Sequence, residues 1–103
     1  STDRVEENMA FYTVTYDLNK KKDYAKFQEG IVKVSSNRYV KCTLSQYVIQ
    51  SSLTATQIRM ALHGFADNDD SILVLKLDIR EWSYVNLPET VPNWLQKATN
   101  VGN

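Results

Sequence analysis

Three features of the 103-residue sequence predict an α+β domain. A β-branched and aromatic run opens it at Phe11 to Leu18, two helical stripes of apolar residues follow, and strand-like stretches separate and close those stripes. Hydrophobic residues make up 43% and charged residues 23%, which is ordinary for a globular domain. A chain of this length buries about two-thirds of its unfolded surface and forms one domain.

Phe11 to Leu18 sets Tyr12, Val14, Tyr16 and Leu18 against Phe11, Thr13 and Thr15, a strand covered on at least one face. Asn19 to Lys22 reads as a polar loop, and Asp23 can cap a helix bearing Tyr24, Phe27, Ile31 and Val34 at helical spacing. Ser35-Ser36-Asn37 ends that helix. Arg38 to Leu44 and Gln46 to Gln50 are strands joined at Ser45 by a tight hairpin or by a bend in one long ribbon. Thr54 to Gln57 has the form of a capping box, in which the Thr54 hydroxyl accepts from the Gln57 amide and the Gln57 side chain reaches back. Ile58, Ala61, Leu62 and Phe65 form the second stripe, closed by Gly64 and the turn Asp67-Asn68-Asp69-Asp70. Ser71 to Leu77 is a continuous apolar run, as in a central strand.

Strand, helix, strand, strand, helix, strand is the ferredoxin-like βαββαβ order. Residues 9–79 form this core, after a polar segment 1–8 read as a leader or an added remnant. Residues 80–103 add a C-terminal strand, in which Trp82 and Tyr84 alternate with Ser83 and Val85, and a tail punctuated by Pro88 and Pro92. Asn93 could cap a last turn with Trp94 and Leu95. A tail with two tryptophans either packs on the open face of its own sheet or adds to a partner's. Dimer packing through Trp82, Tyr84, Val85 and Trp94 is the favoured reading, since such a sheet leaves a face and an edge to cover.

Lys plus Arg and Asp plus Glu number 12 each, which argues against a general polyanion binder. The distribution is uneven. Lys20 to Lys41 holds seven basic residues against Asp23 and Glu29, whereas the chain from Gly64 holds six acids against Lys76, Arg80 and Lys97. The single Cys42 forms no intrachain disulfide and lies in a strand without a nearby histidine motif, so it reads as a buried thiol. No apolar run approaches the ~20 residues of a membrane span, and a cytoplasmic protein without membrane partners is expected. His63 falls off its helix stripe and reads as exposed; Asp69 and Asp70 read as a turn lacking calcium-loop spacing. Tyr12, Tyr16, Tyr39 and Tyr47 either stack on bases or pack within the protein. The sequence holds no phosphate-binding glycine loop, zinc motif or catalytic triad.

Tyr12-Thr13-Val14-Thr15-Tyr16-Asp17-Leu18 resembles the opening strand of the CRISPR-associated protein two family and its relative, virulence-associated protein D, which end in an aromatic and an aspartate. Val48 to Ile58, with Leu53-Thr54-Ala55-Thr56-Gln57-Ile58, resembles that family's third strand running into its second helix. Tyr16-Asp17-Leu18-Asn19, Gln57-Ile58-Arg59 and Trp94-Leu95 are similar to motifs of its short bacterial relatives. The likeness spans roughly residues 10 to 97. It implies a homodimer with a ferredoxin-like core whose last strand is exchanged onto the partner's sheet. It further implies an endonuclease acting on RNA or DNA, with Mg²⁺ or Mn²⁺ held by Asp17 of each protomer as the catalytic and metal-binding residue. Lys20, Lys21, Lys22 and Lys26 would then steer nucleic-acid phosphates. The sequence departs from the family in having lysines where nucleic-acid-binding relatives often carry arginines. Asp17 read alone is a turn aspartate sooner than a ligand, and only the resemblance brings the two readings level; a non-catalytic dimeric module binding nucleic acid or a protein partner is the alternative function.

Overall fold

The structure is a computed structural model, and it describes residues 9–18 and 24–101. Four strands, β1 (Ala10–Asp17), β2 (Tyr39–Thr43), β3 (Gln46–Ser51) and β4 (Ser71–Leu77), form an antiparallel sheet in the order β2-β3-β1-β4. Helices α1 (Tyr24–Ser35) and α2 (Ala55–His63) cover one face, and α3 (Thr90–Val101) lies against the other. The ferredoxin-like α+β core expected from the element order is present. The polar segment 1–8, the loop lysines and the Asp23 cap lie outside the described residues.

Alternation along β1 divides the interior into two apolar clusters. Tyr12, Val14 and Tyr16 point to the helical layer, where Phe27 and Ile31 of α1, Ile58 and Leu62 of α2, and Tyr47 and Ile49 of β3 pack with them. Gly30 gives α1 its close approach to α2, since a Cβ there would stand 2.8 Å from the Phe65 ring. Ser36 and Asn37 turn out of α1 with φ of 50° and 70°, the left-handed conformation that stops the helix. Ser51 Oγ donates to the Val34 carbonyl at 2.7 Å, tying the end of β3 to α1. The Thr54–Gln57 capping box forms with both bonds, at 3.2 and 2.9 Å. Thr43 pairs directly with Gln46, so Leu44 and Ser45 make the tight hairpin turn.

The second cluster gathers Val40, Cys42, Val48, Ile79, Val91 and Leu95, with Phe11, Leu77, Trp82 and Trp94 around them. Burial raises the Cys42 thiol above its ordinary value, in keeping with a packed, unreactive sulfur.

Two expectations need correction. β4 is an edge strand rather than a central one. Its apolar run arises because Ile72 and Val74 pack on the helical layer while Leu73 and Leu75 stand 54% and 50% exposed on the opposite face. The additional strand at Trp82–Val85 does not form within the chain. That segment is irregular, ends at Asn86 with φ 59°, and gives way to α3. Pro92 sits in the first turn of α3, where a missing N–H costs nothing, so a helix of 12 residues replaces the single turn expected there.

The four tyrosines pack rather than face solvent. Tyr16 lies 4.4 Å from Phe27 and 5.7 Å from Tyr47 between ring centroids, and its hydroxyl donates to the Leu44 carbonyl at 2.8 Å. Burial, with the neighbouring Tyr47 and Tyr24, pushes the Tyr16 hydroxyl far above the ordinary tyrosine value, and burial likewise raises Tyr47. Unfolded tyrosines ionise near pH ~10; above that the unfolded chain has released protons the native state retains, so stability is full below about pH 10 and falls beyond it. The urea midpoint is expected to decline steadily from about pH 10 upward. A midpoint as high at pH ~11 as at pH ~9 would contradict this burial.

Candidate functional site

Asp17 ends β1 on the face away from α1 and α2. It shares that face with Thr15 and pairs across the strands with Ser71. The carboxylate is exposed at a shallow hollow of about 380 Å³, also lined by Thr15, Ser45, Ser71 and Leu73. The β2–β3 turn closes one side. The Tyr16 amide donates to the Ser45 carbonyl at 3.0 Å, and the Tyr16 hydroxyl holds Leu44. Below the hollow, Gln46 Nε2 donates to Thr13 Oγ1 at 3.0 Å, fixing the sheet face under it.

The same end of the sheet carries more acid than Asp17 alone. Asp70 immediately precedes Ser71, and ligand oxygens of Asp67, Asp69 and Asp70 lie within 4.8 Å of one another. The turn is held by the Asp67 amide donating to Asp70 Oδ2 at 2.7 Å. The sequence reading identified this turn with Asp67 in it, but weighed only Asp69 and Asp70 as ligands. The Asp-x-Asp-Asp spacing is the signal that brings those carboxylates together.

The remaining predicted residues fall in separate places. Lys20, Lys21 and Lys22 lie outside the described residues. Lys26 is exposed on α1, in the helical layer, whereas Asp17 faces the other side of the sheet. Trp94 packs edge-on against Phe11, with ring centroids 6.2 Å apart, and Trp82 is half-buried with Tyr84 tilted against it. Tyr84 and Val85 are exposed. The two tryptophans therefore cover their own sheet. His63 is exposed, as expected.

One carboxylate supplies at most two hard oxygen ligands, fewer than the octahedral shell of Mg²⁺ requires. Asp17 of a single chain can thus anchor a cation only where waters, a phosphate or a second carboxylate complete the shell. No helix among the described residues is long and apolar enough to cross a membrane. No protein-family model matches this chain.

Proposed function

We propose that the protein is a dimeric, metal-dependent nuclease-like protein of the CRISPR-associated protein two type, cleaving RNA or DNA phosphodiesters at paired Asp17 carboxylates. One observation carries this reading: Asp17 is exposed at the end of a central strand, on the sheet face where Leu73 and Leu75 stand half-uncovered beside it. A second copy that covered those leucines about a two-fold axis would bring the partner's Asp17 toward the same seam. The donor set suits a hard divalent cation, because carboxylate oxygens are the ligands Mg²⁺ and Mn²⁺ prefer. Bound there, the ion would neutralise charge on the scissile phosphate and lower the pKa of a water. Asp17 would hold the ion, and Leu73 and Leu75 would keep the two protomers in register. The loop lysines 20–22 would draw the polyanion in.

Incubating the purified protein with RNA and with DNA, in Mg²⁺, in Mn²⁺ and in chelator, tests this. Asp17→Asn is expected to reduce metal-dependent cleavage at least about a hundredfold while leaving the light-scattering mass of the dimer unchanged. Cleavage that survives Asp17→Asn undiminished assigns the activity to a contaminant and removes the reading. A protein that binds oligonucleotide but never cuts it is the non-catalytic module instead.

A further inference from the structure

A cavity of about 990 Å³ lies at the end of the sheet opposite Asp17. Its lining brings together residues far apart in sequence: Phe11 of β1, Arg38 just before β2, Lys76 of β4, Arg80 in the turn after β4, and Trp94 and Lys97 of α3. Asp78 is the only acid among the described residues lining it. Asp78 is already engaged by Arg80, whose Nε lies 2.9 and 3.0 Å from its two carboxylate oxygens; that bond holds the Asp78 carboxyl down to about 2. The groove is thus cationic in a chain whose formal net charge is zero.

Arg38 leads into β2 and Lys97 belongs to α3, so two exposed cations from separate elements line one groove, while Lys76 alternates with Ile72 and Val74 toward the helical layer. Trp94 lines the same groove and keeps part of its ring at the surface, steadied by Phe11 against its edge. Aromatic surface beside cations matches unpaired bases on a phosphodiester chain, where the bases stack and the phosphates pair. A duplex hides its base faces, and an acidic peptide has none.

We infer that this groove binds single-stranded nucleic acid, with a base against Trp94 and backbone phosphates at Arg38 and Lys97. The assignment deepens the nucleic-acid reading of the protein and rests on it. It is independent of catalysis at Asp17, which lies at the far end of β1, roughly 23 Å away at about 3.3 Å per residue.

Binding is therefore measured on full-length Asp17→Asn protein in chelator, so that a failure of cleavage leaves this test intact. The probe is a fluorescein-labelled oligothymidylate of about ten nucleotides, read by anisotropy across salt concentrations. Arg38→Glu and Lys97→Glu, both at exposed positions, are each expected to weaken binding at least tenfold with the melting temperature unchanged. Each should also flatten the salt dependence by about one phosphate contact, a slope change near 0.7. In a Trp82→Phe background Trp94 is the sole indole, and its fluorescence is expected to fall as oligonucleotide is added. The proposal is overturned if neither charge reversal weakens binding, or if binding proceeds without quenching. Tighter binding of poly-glutamate than of the oligonucleotide would overturn it too, and would give the groove to an acidic peptide.

Discussion

Phe27→Ala is expected to lower the free energy of unfolding by about 3–5 kcal/mol. Phe27 is fully buried on the sheet-facing side of α1, among Tyr16, Tyr47, Ile31 and Leu62. Its neighbours are themselves fixed, which raises the cost. Tyr16 is held by its hydroxyl on Leu44, and α1 cannot shift toward α2 because Gly30 already sits against Phe65 and Leu62. The site therefore collapses little, and the transfer and cavity costs add. Loss of the tilted ring pair with Tyr16 contributes roughly another 0.5–1.5 kcal/mol beyond the area buried. A domain of this size has about 5–15 kcal/mol in all, so a large part of its stability rests on one ring. Equilibrium urea unfolding of Phe27→Ala beside Phe27→Leu measures it. A cost under about 1 kcal/mol would mean that α1 does not pack on the sheet as described.

Leu95→Asp is expected to release α3 from the sheet while leaving the four strands, α1 and α2 folded. Leu95 and Val91 are the buried contacts that α3 makes with Val40, Cys42 and Val48, each worth about 1.5–3 kcal/mol of burial. A carboxylate among those side chains has no partner, and burying it costs several kcal/mol, about as much as the docking supplies. None of the buried residues of this cluster belongs to the cluster under α1 and α2. Undocking therefore need not propagate through the sheet. The expected signature is loss of near-ultraviolet dichroism from Trp94 and of about one helix of far-ultraviolet signal, with the urea transition of the core retained. A single collapse of every signal would show that the two faces of the sheet form one cooperative unit.

Elements written in local sequence were legible before the structure was known. The stripes Tyr24-Phe27-Ile31-Val34 and Ile58-Leu62, and the Thr54–Gln57 box, each depend on residues within one or two turns. Elements set by distant neighbours were not. The run Ser71–Leu77 carries no mark of whether another strand lies beyond it, so its edge position and half-exposed leucines could not be read. Alternation over Trp82–Val85 is too short to separate a strand from an irregular segment. Pro92, taken as punctuation, turned out to begin a helix. Asp17 was placed correctly at a strand end because β1 has a strong pattern on both sides of it. The cationic groove escaped notice because Arg38 and Lys97 come from separate elements and sum to nothing in any window of sequence.

The strand order also sets a timetable for synthesis. β1 pairs with β3 on one side and β4 on the other, yet β3 is complete at Ser51 and β4 only at Leu77. At about 5–20 residues per second the ribosome leaves roughly 1–5 s between those events. Throughout that interval β1, with its aromatic and β-branched residues, presents a bare hydrogen-bonding edge on the nascent chain. A second nascent chain at the same stage offers that edge an identical strand, so crowding on a polysome selects between the native sheet and a tangle of two chains.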